Sequence, residues 1–208
     1  MYIPEQFREQ DIEVLHDFME RYNFATLVTQ NQGELIASHL PFVLDRGAGP
    51  YGALRAHLAN KNPQCAHLNA AGEALVLFQG PHSYISPLWY THQRNVPTWN
   101  YTVVHAYGTP RILDDAALIE LLAKLVEIHE GASPPGWRFD AGQPWLKPML
   151  TEITGFELPI SKLQGKFKLN QNRTAADRKG VIETLAHSDD PIERAVAGLM
   201  SANEVHQT

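Results

Sequence analysis

The chain has 208 residues, of which 44% are hydrophobic and 19% charged: enough apolar material for a sizeable core and too little charge for disorder. A formal net charge of -6 argues against wholesale, non-specific binding to nucleic acid. No apolar run approaches the length of a bilayer span, Met1-Tyr2-Ile3-Pro4-Glu5 lacks the marks of a signal peptide, and Cys65 stands alone, so a cytoplasmic, reducing home is expected.

A first helix is predicted from Asp11 to about Tyr22, because Ile12, Leu15, Phe18, Met19 and Tyr22 recur at helical spacing behind a capping Asp11. Strand-like runs follow at Phe24–Thr29, Glu34–Leu44, Gly52–His57, Ala74–Gln79 and Thr98–Leu113. Turns are expected at Asn31-Gln32-Gly33, Gly47-Ala48-Gly49-Pro50 and Gly80-Pro81, and a short helix over Asn62–Ala71. Strands with such short connections predict an antiparallel barrel, not alternating βαβ units. A long helix over Asp115–His129 carries a stripe of Leu118, Leu121, Leu122, Leu125 and Ile128, and Gly131 with Pro134-Pro135 stops it.

Trp145–Leu150 reads as another short helix, and Ile153–Ile160 as a returning strand that would close the barrel. Two tail helices are predicted, one opening at Thr174 with Asp177 at capping-box spacing, the other at Asp190-Pro191. No Gly- or Ser-rich linker divides the chain, so residues 1–173 are expected to form one barrel domain with inserted helices and 174–208 a helical tail of the same unit.

Three clusters could carry chemistry. Gly80 to Tyr90, with Val96 to Tyr101, interleaves aromatics, hydroxyls and prolines, and its large rings (Tyr84, Trp89, Trp99) suit a ligand face or equally a packing contact. At the end of one strand Arg55, His57, Asn60 and Lys61 could meet a phosphate, or could be a solvated strand end. Near the tail, Lys166 and Lys168 share one face of an extended segment, and Asn170, Gln171, Asn172 and Arg173 make a donor-rich turn. Lys162, Lys166, Lys168, Arg173, Arg178 and Lys179 place six of the 17 basic residues here, a local cationic stretch inside an acidic protein.

Other chemistries lack a signature. The ten histidines include no HExxH and no close ligand pair, so no metal is expected. Ser83 and Ser86 lack a nucleophile elbow, and no Gly-rich phosphate loop is present. No residue declares itself as the catalytic acid or base, although His39, His57, His82 and His105 are candidates. The tail helices offer only Arg194 beside Glu193 and Glu204, a poor set for reading a major groove.

At these clusters the chain resembles the PaiB-type FMN-binding negative transcriptional regulators. The resemblance rests on Met1-Tyr2-Ile3-Pro4, Phe24 to Thr29, Ser38-His39-Leu40-Pro41, Leu54-Arg55-Ala56-His57 with Asn62-Pro63, and Tyr84-Ile85-Ser86-Pro87 with Trp89-Tyr90. It continues through Val96 to Tyr101 with Val104-His105 and Gly108, then Leu163-Gln164-Gly165-Lys166, Lys168-Leu169, Gln171-Asn172-Arg173 and Asp177-Arg178. Thr91 to Asn95 is short for the family.

The resemblance implies a mainly β, α+β architecture: an antiparallel Greek-key split β-barrel that dimerises and holds FMN, followed by a helical tail. Arg55 and Lys61 would suit the phosphate; Asn60, Asn100, Gln171 or Asn172 the ring edge; Tyr84, Trp89 or Trp99 the ring faces. His57, Lys168 and Arg173 complete the candidate cofactor-binding set. The function implied is negative transcriptional regulation, with DNA met, if directly, through the basic tail segment. The alternative is a flavin-dependent oxidoreductase, akin to flavin reductases or pyridoxamine-phosphate oxidases, acting on a small molecule. A third reading puts haem in the barrel, with His39 or His105 as axial ligand.

Overall fold

In the structure, a computed structural model, the described residues are 1–206 except 69, 71, 93 and 132–135, and the side chains of 204–206 are also outside the description. The strands are β1 (Arg8–Glu9), β2 (Phe24–Asn31), β3 (Glu34–Pro41), β4 (Val43–Asp45), β5 (Ala53–Ala59), β6 (Ala74–Ile85), β7 (Thr98–Gly108), β8 (Arg111–Ile112) and β9 (Ile153–Lys168). The helices are α1 (Ile12–Arg21), α2 (Gln64–Leu68), α3 (Asp115–Glu130), α4 (Lys147–Leu150), α5 (Ala175–Ala186) and α6 (Pro191–His206).

Sheet neighbours run β3-β2-β6-β7-β9-β5-β4, and β1 and β8 pair onto β9. The strand expected to close a barrel therefore lies inside an open strand order, because β7 and β5 already occupy both its flanks. The fold is the antiparallel split-barrel arrangement with helices around it.

Several boundaries depart from the sequence reading, each for a local reason. The run Glu34–Leu44 divides at Phe42, whose N–H bonds Asn23 O at 2.9 Å and whose ring turns into the core. Gly80-Pro81 is not a turn but the middle of β6. There the buried positions change from Phe78 and Gly80 to Ser83 and Ile85, one residue out of alternation, which lets a strand absorb a proline. The run Thr98–Leu113 breaks around Pro110, which has no N–H for a ladder. The strand expected to end at Ile160 continues to Lys168, taking in Lys166. The far end of the helix expected over Asn62–Ala71 and the stop at Pro134-Pro135 lie outside the described residues.

The chain divides into two compact units. The first comprises Met1–Leu15, Gln79–Val104 and Gln164–Thr208. Its interior holds Ile85, Val104, Leu169, Val181, Leu185, Val196 and Met200, all at most 2% exposed, so α5 and α6 each contribute side chains to the core of this unit.

The second unit comprises His16–Phe78 and His105–Leu163. Its core centres on Phe42, whose ring meets Phe78 and Phe156 edge-on at 5.9 and 6.2 Å. Leu118, Leu121 and Leu125 of α3 pack with Val43 of β4 as a second apolar cluster.

Candidate functional site

In the first unit, β9 ends beside the start of β7. The Lys168 ammonium reaches across to donate to the Trp99 carbonyl at 2.6 Å and to the Thr98 hydroxyl. Lys166, two residues earlier and on the same face, donates to Tyr2 O at 3.2 Å and lies 5.2 Å from the Tyr101 ring centroid and 5.7 Å from that of Tyr2. Arg173 donates to Asn95 Oδ1 at 2.6 Å, with its guanidinium 4.9 Å from the Tyr90 ring centroid. Among the described residues these three cations meet only neutral acceptors and aromatic faces. Burial, reinforced by the charges of Lys166 and Arg173, holds the Lys168 ammonium below the ordinary lysine range.

Trp99 stands beside this cluster, 52% exposed, with His82 and Tyr84 each 6.1 Å from it between ring centroids. Its neighbour Asn100 points to the opposite face of β7 and is fully buried, with Nδ2 3.3 Å from Met200 Sδ. Trp99 and Asn100 thus serve different sides of the sheet.

The turn after β9 is held by Gln171, whose Oε1 accepts from Leu169 N at 2.7 Å and whose Nε2 donates to Phe167 O at 2.5 Å. Asn170 takes a left-handed conformation at φ 64, which an asparagine tolerates better than most residues, and is buried against the Tyr90 hydroxyl at 3.4 Å. Asn172 remains exposed. Asp177, near the start of α5, accepts from Thr91 Oγ1 at 2.7 Å and Thr91 N at 2.8 Å, and these bonds hold its carboxyl below the usual carboxylate range.

In the second unit, Arg55 and His57 share the face of β5 turned toward α3, while Leu54, Ala56 and Leu58 face the core. Opposite His57 in the ladder is Gly155, where a Cβ would stand 2.9 Å from Leu118 Cδ1 of α3. Opposite Arg55 is Glu157, which accepts from Arg55 Nε at 2.7 Å and from Arg111. Asp45 adds a second carboxylate 3.7 Å from Arg55, so the Arg55 charge is already answered within the unit.

Burial lowers the pKa of His57, whose buried Nδ1 has no partner among the described residues, and that of His105 likewise. Asn60 is committed to the chain: Nδ2 donates to Thr151 O at 2.7 Å, and Oδ1 accepts from Thr154 Oγ1 at 2.5 Å. Lys61 is exposed. His39 pairs across the sheet with Thr26 Oγ1 at 2.9 Å.

Residues 1–162 match the family model described as "Putative FMN-binding domain". The chain belongs to this FMN-binding family. Over 201 residues it is 38% identical to "Protease synthase and sporulation protein PAI 2" of Bacillus subtilis, with 96% of each chain covered, so the PaiB-type resemblance holds almost end to end. Two solved structures share the fold. One is the FAD and heme binding protein from Mycobacterium smegmatis, at TM-score 0.62 and 16% identity, covering 83% of this chain and 78% of that one. The other is the flavocytochrome Anf3 from Azotobacter vinelandii, at TM-score 0.60 and 14% identity, covering 91% and 75%.

FMN is the cofactor of this FMN-binding chain. Its phosphate calls for cations not already neutralised, and its ring for apolar or aromatic cover. The first unit contains both, in Lys168 and Arg173 and in Trp99 and Tyr84, so the residues present fit the group. Among the described residues no group of three or more His, Cys, Asp or Glu is placed to hold a metal ion, and no helix is long and apolar enough to cross a membrane.

Sequence reasoning passed over Glu157 and Asp177 as organising residues. Glu157 was visible in principle: a carboxylate between Phe156 and Leu158 in a strand buried on both faces must have cationic partners. Asp177 enters the sequence reading as part of a helix cap and of the family resemblance, and nothing local to it announces a bond to Thr91.

Proposed function

We propose that the chain is a dimeric, FMN-holding negative transcriptional regulator of PaiB type, acting in the cytoplasm. The end-to-end likeness to PAI 2, which continues past residue 162 into the tail, supports this reading. The observation that carries its flavin part is the trio Lys166, Lys168 and Arg173, unneutralised by carboxylates, beside half-exposed Trp99 and Tyr84.

In this reading Lys168 and Arg173 hold the phosphate, Trp99 and Tyr84 cover the ring, and exposed Asn172 lies within the same turn as a donor for its edge. Gln171 sets the shape of that turn. The Arg55–Glu157 pair and Asn60 stabilise the other unit, and Lys61 is a solvated cation. Bound FMN supplies electron-transfer chemistry through its own ring, while the protein binds it, orients it and limits its contact with water. Leu88 and Val96, each 71% exposed, supply apolar surface suited to a second copy.

The test is flavin retention by absorption after adding FMN and desalting, with affinities measured for wild type, Lys168→Met and Arg173→Met. Each variant is expected to bind FMN at least about tenfold more weakly, the scale of one lost charge-assisted contact. Unchanged affinity in both, with loss in Arg55→Met and Lys61→Met instead, would move the phosphate to β5.

Regulation is tested by a gel shift of the protein's own upstream DNA at low salt, with and without FMN. Direct action requires a shift that added salt reverses. No shift, combined with oxidation of NADH or NADPH by the FMN-loaded protein, favours the flavin-dependent oxidoreductase. The open aromatic face at Trp99 would serve that activity as well.

A further inference from the structure

The buried face of β7 carries Asn100 and Thr102, both fully buried, and neighbouring β6 adds Ser83 at 3% exposure. Polar contacts between this strip and α6 are weak. Among the described residues Asn100 Nδ2 meets the Met200 sulfur at 3.3 Å, and thioether sulfur is a poor acceptor. Ser83 Oγ lies a long 3.4 Å from Glu193 Oε1 and gives its better bond, 2.9 Å, to Tyr84 O. Among the described residues Asn100 Oδ1 and Thr102 Oγ1 have no hydrogen-bond partner.

Unmatched polar atoms work against closure, because in an open state water satisfies both. The polar strip therefore adds little to the hold on α6, whose buried described residues are the apolar Val196, Ala197 and Met200. The helix is itself a soft one. Gly198 sits in its interior with nothing within 4 Å of where a Cβ would be, so the glycine is not demanded by packing. Ser201 turns its hydroxyl back onto Ala197 O at 3.0 Å.

We propose that α6 is a lifting strap: it opens locally from the sheet ahead of global unfolding and exposes the hydrogen-bonding strip Ser83, Asn100 and Thr102. The strip offers one amide and two hydroxyls, a set that hydrogen-bonds water when the strap is up. This device is independent of where FMN lies.

Native-state amide hydrogen exchange on the full-length protein tests it, comparing residues 192–203 with β2 and with the buried part of β6. In wild type the α6 amides are expected to exchange at least about tenfold faster than those of the two strands. Thr102→Val keeps the shape and removes one orphan, so it should slow α6 exchange about five- to thirty-fold and leave β2 unchanged. Asn100→Leu, which removes the other orphan, should act in the same direction. Wild-type α6 amides as protected as β2, or α6 exchange that Thr102→Val leaves unchanged or speeds, would overturn the strap.

Discussion

Arg55 and Glu157 face each other across the β5–β9 ladder, joined from Nε to Oε2 at 2.7 Å, with the carboxylate side chain 4% exposed and the guanidinium side chain 29%. Burial by itself would raise the Glu157 carboxyl; the bonds from Arg55 and Arg111 outweigh it and leave the pKa below the usual carboxylate range. A depressed folded pKa contributes stability that is present above the unfolded value, about 4.3, and is lost as pH falls through the folded one.

Glu157→Gln is expected to cost about 1–3 kcal/mol at pH 7. That is less than for a fully enclosed pair, since Arg111 is largely in water and Arg55 partly so. Urea unfolding at pH 7 and near pH 3 should show the wild-type advantage shrinking toward the acid end. Parallel pH dependence in the two proteins would remove Glu157 from the account.

Lys168 makes a second, ligand-linked pH prediction. Its ammonium is held below the ordinary lysine range by burial first and then by Lys166 and Arg173. An anionic phosphate beside it favours the charged form, so binding raises the pKa, and FMN affinity should fall as pH rises through the depressed free-protein value. Titrations of FMN fluorescence between pH 7 and 10 check this. Lys168→Met should bind weakly and lose most of that slope.

Gly180 sets two familiar effects against each other. Alanine in the middle of α5 would gain up to about 1 kcal/mol of helix propensity. Its Cβ, however, would press into the Trp89 carbonyl oxygen, a backbone atom with little freedom to yield. We expect the clash to win, with Gly180→Ala destabilising by about 1–3 kcal/mol in urea unfolding. A gain in stability would show that the turn Pro87–Trp89 can step back from α5.

Gln64 tests a fully buried amide. The two N–H groups on its Nε2 are shared among Leu27 O, Thr29 Oγ1 and Ile36 O at 3.2, 3.0 and 3.0 Å, tying α2 to β2 and β3. Gln64→Leu keeps the bulk but leaves these acceptors without that donor, and should lower stability by about 2–4 kcal/mol. Thermal unfolding is the measurement, and a loss under about 0.5 kcal/mol would mean that the acceptors find other donors.

Much of the fold was legible because its information is local. The helix behind Asp11 follows from 3.6-residue spacing and a side chain that can cap it, and Asp11 Oδ1 does accept from Glu13 N at 2.9 Å. Thr174 caps α5 in the same way. The family, too, was readable from short motifs taken in order. The alternation in β6 misled at Gly80-Pro81, since a turn dipeptide and a strand irregularity look alike until neighbouring strands choose between them.

What the sequence determined by itself, then, was the antiparallel strand-rich class, the tail helices and the cationic stretch around Lys166, Lys168 and Arg173, all consequences of residue type and near-neighbour spacing. Only the tertiary structure decided which charges are already spent. Arg55 and Lys168 are both cations on strands, yet Arg55 faces Glu157, 102 positions away in sequence, while Lys168 faces the neutral Trp99 carbonyl 69 positions away. Charge is carried by the residue, but neutralisation depends on what strand pairing brings opposite it. That is set by the register of the whole sheet, which no short window of sequence contains.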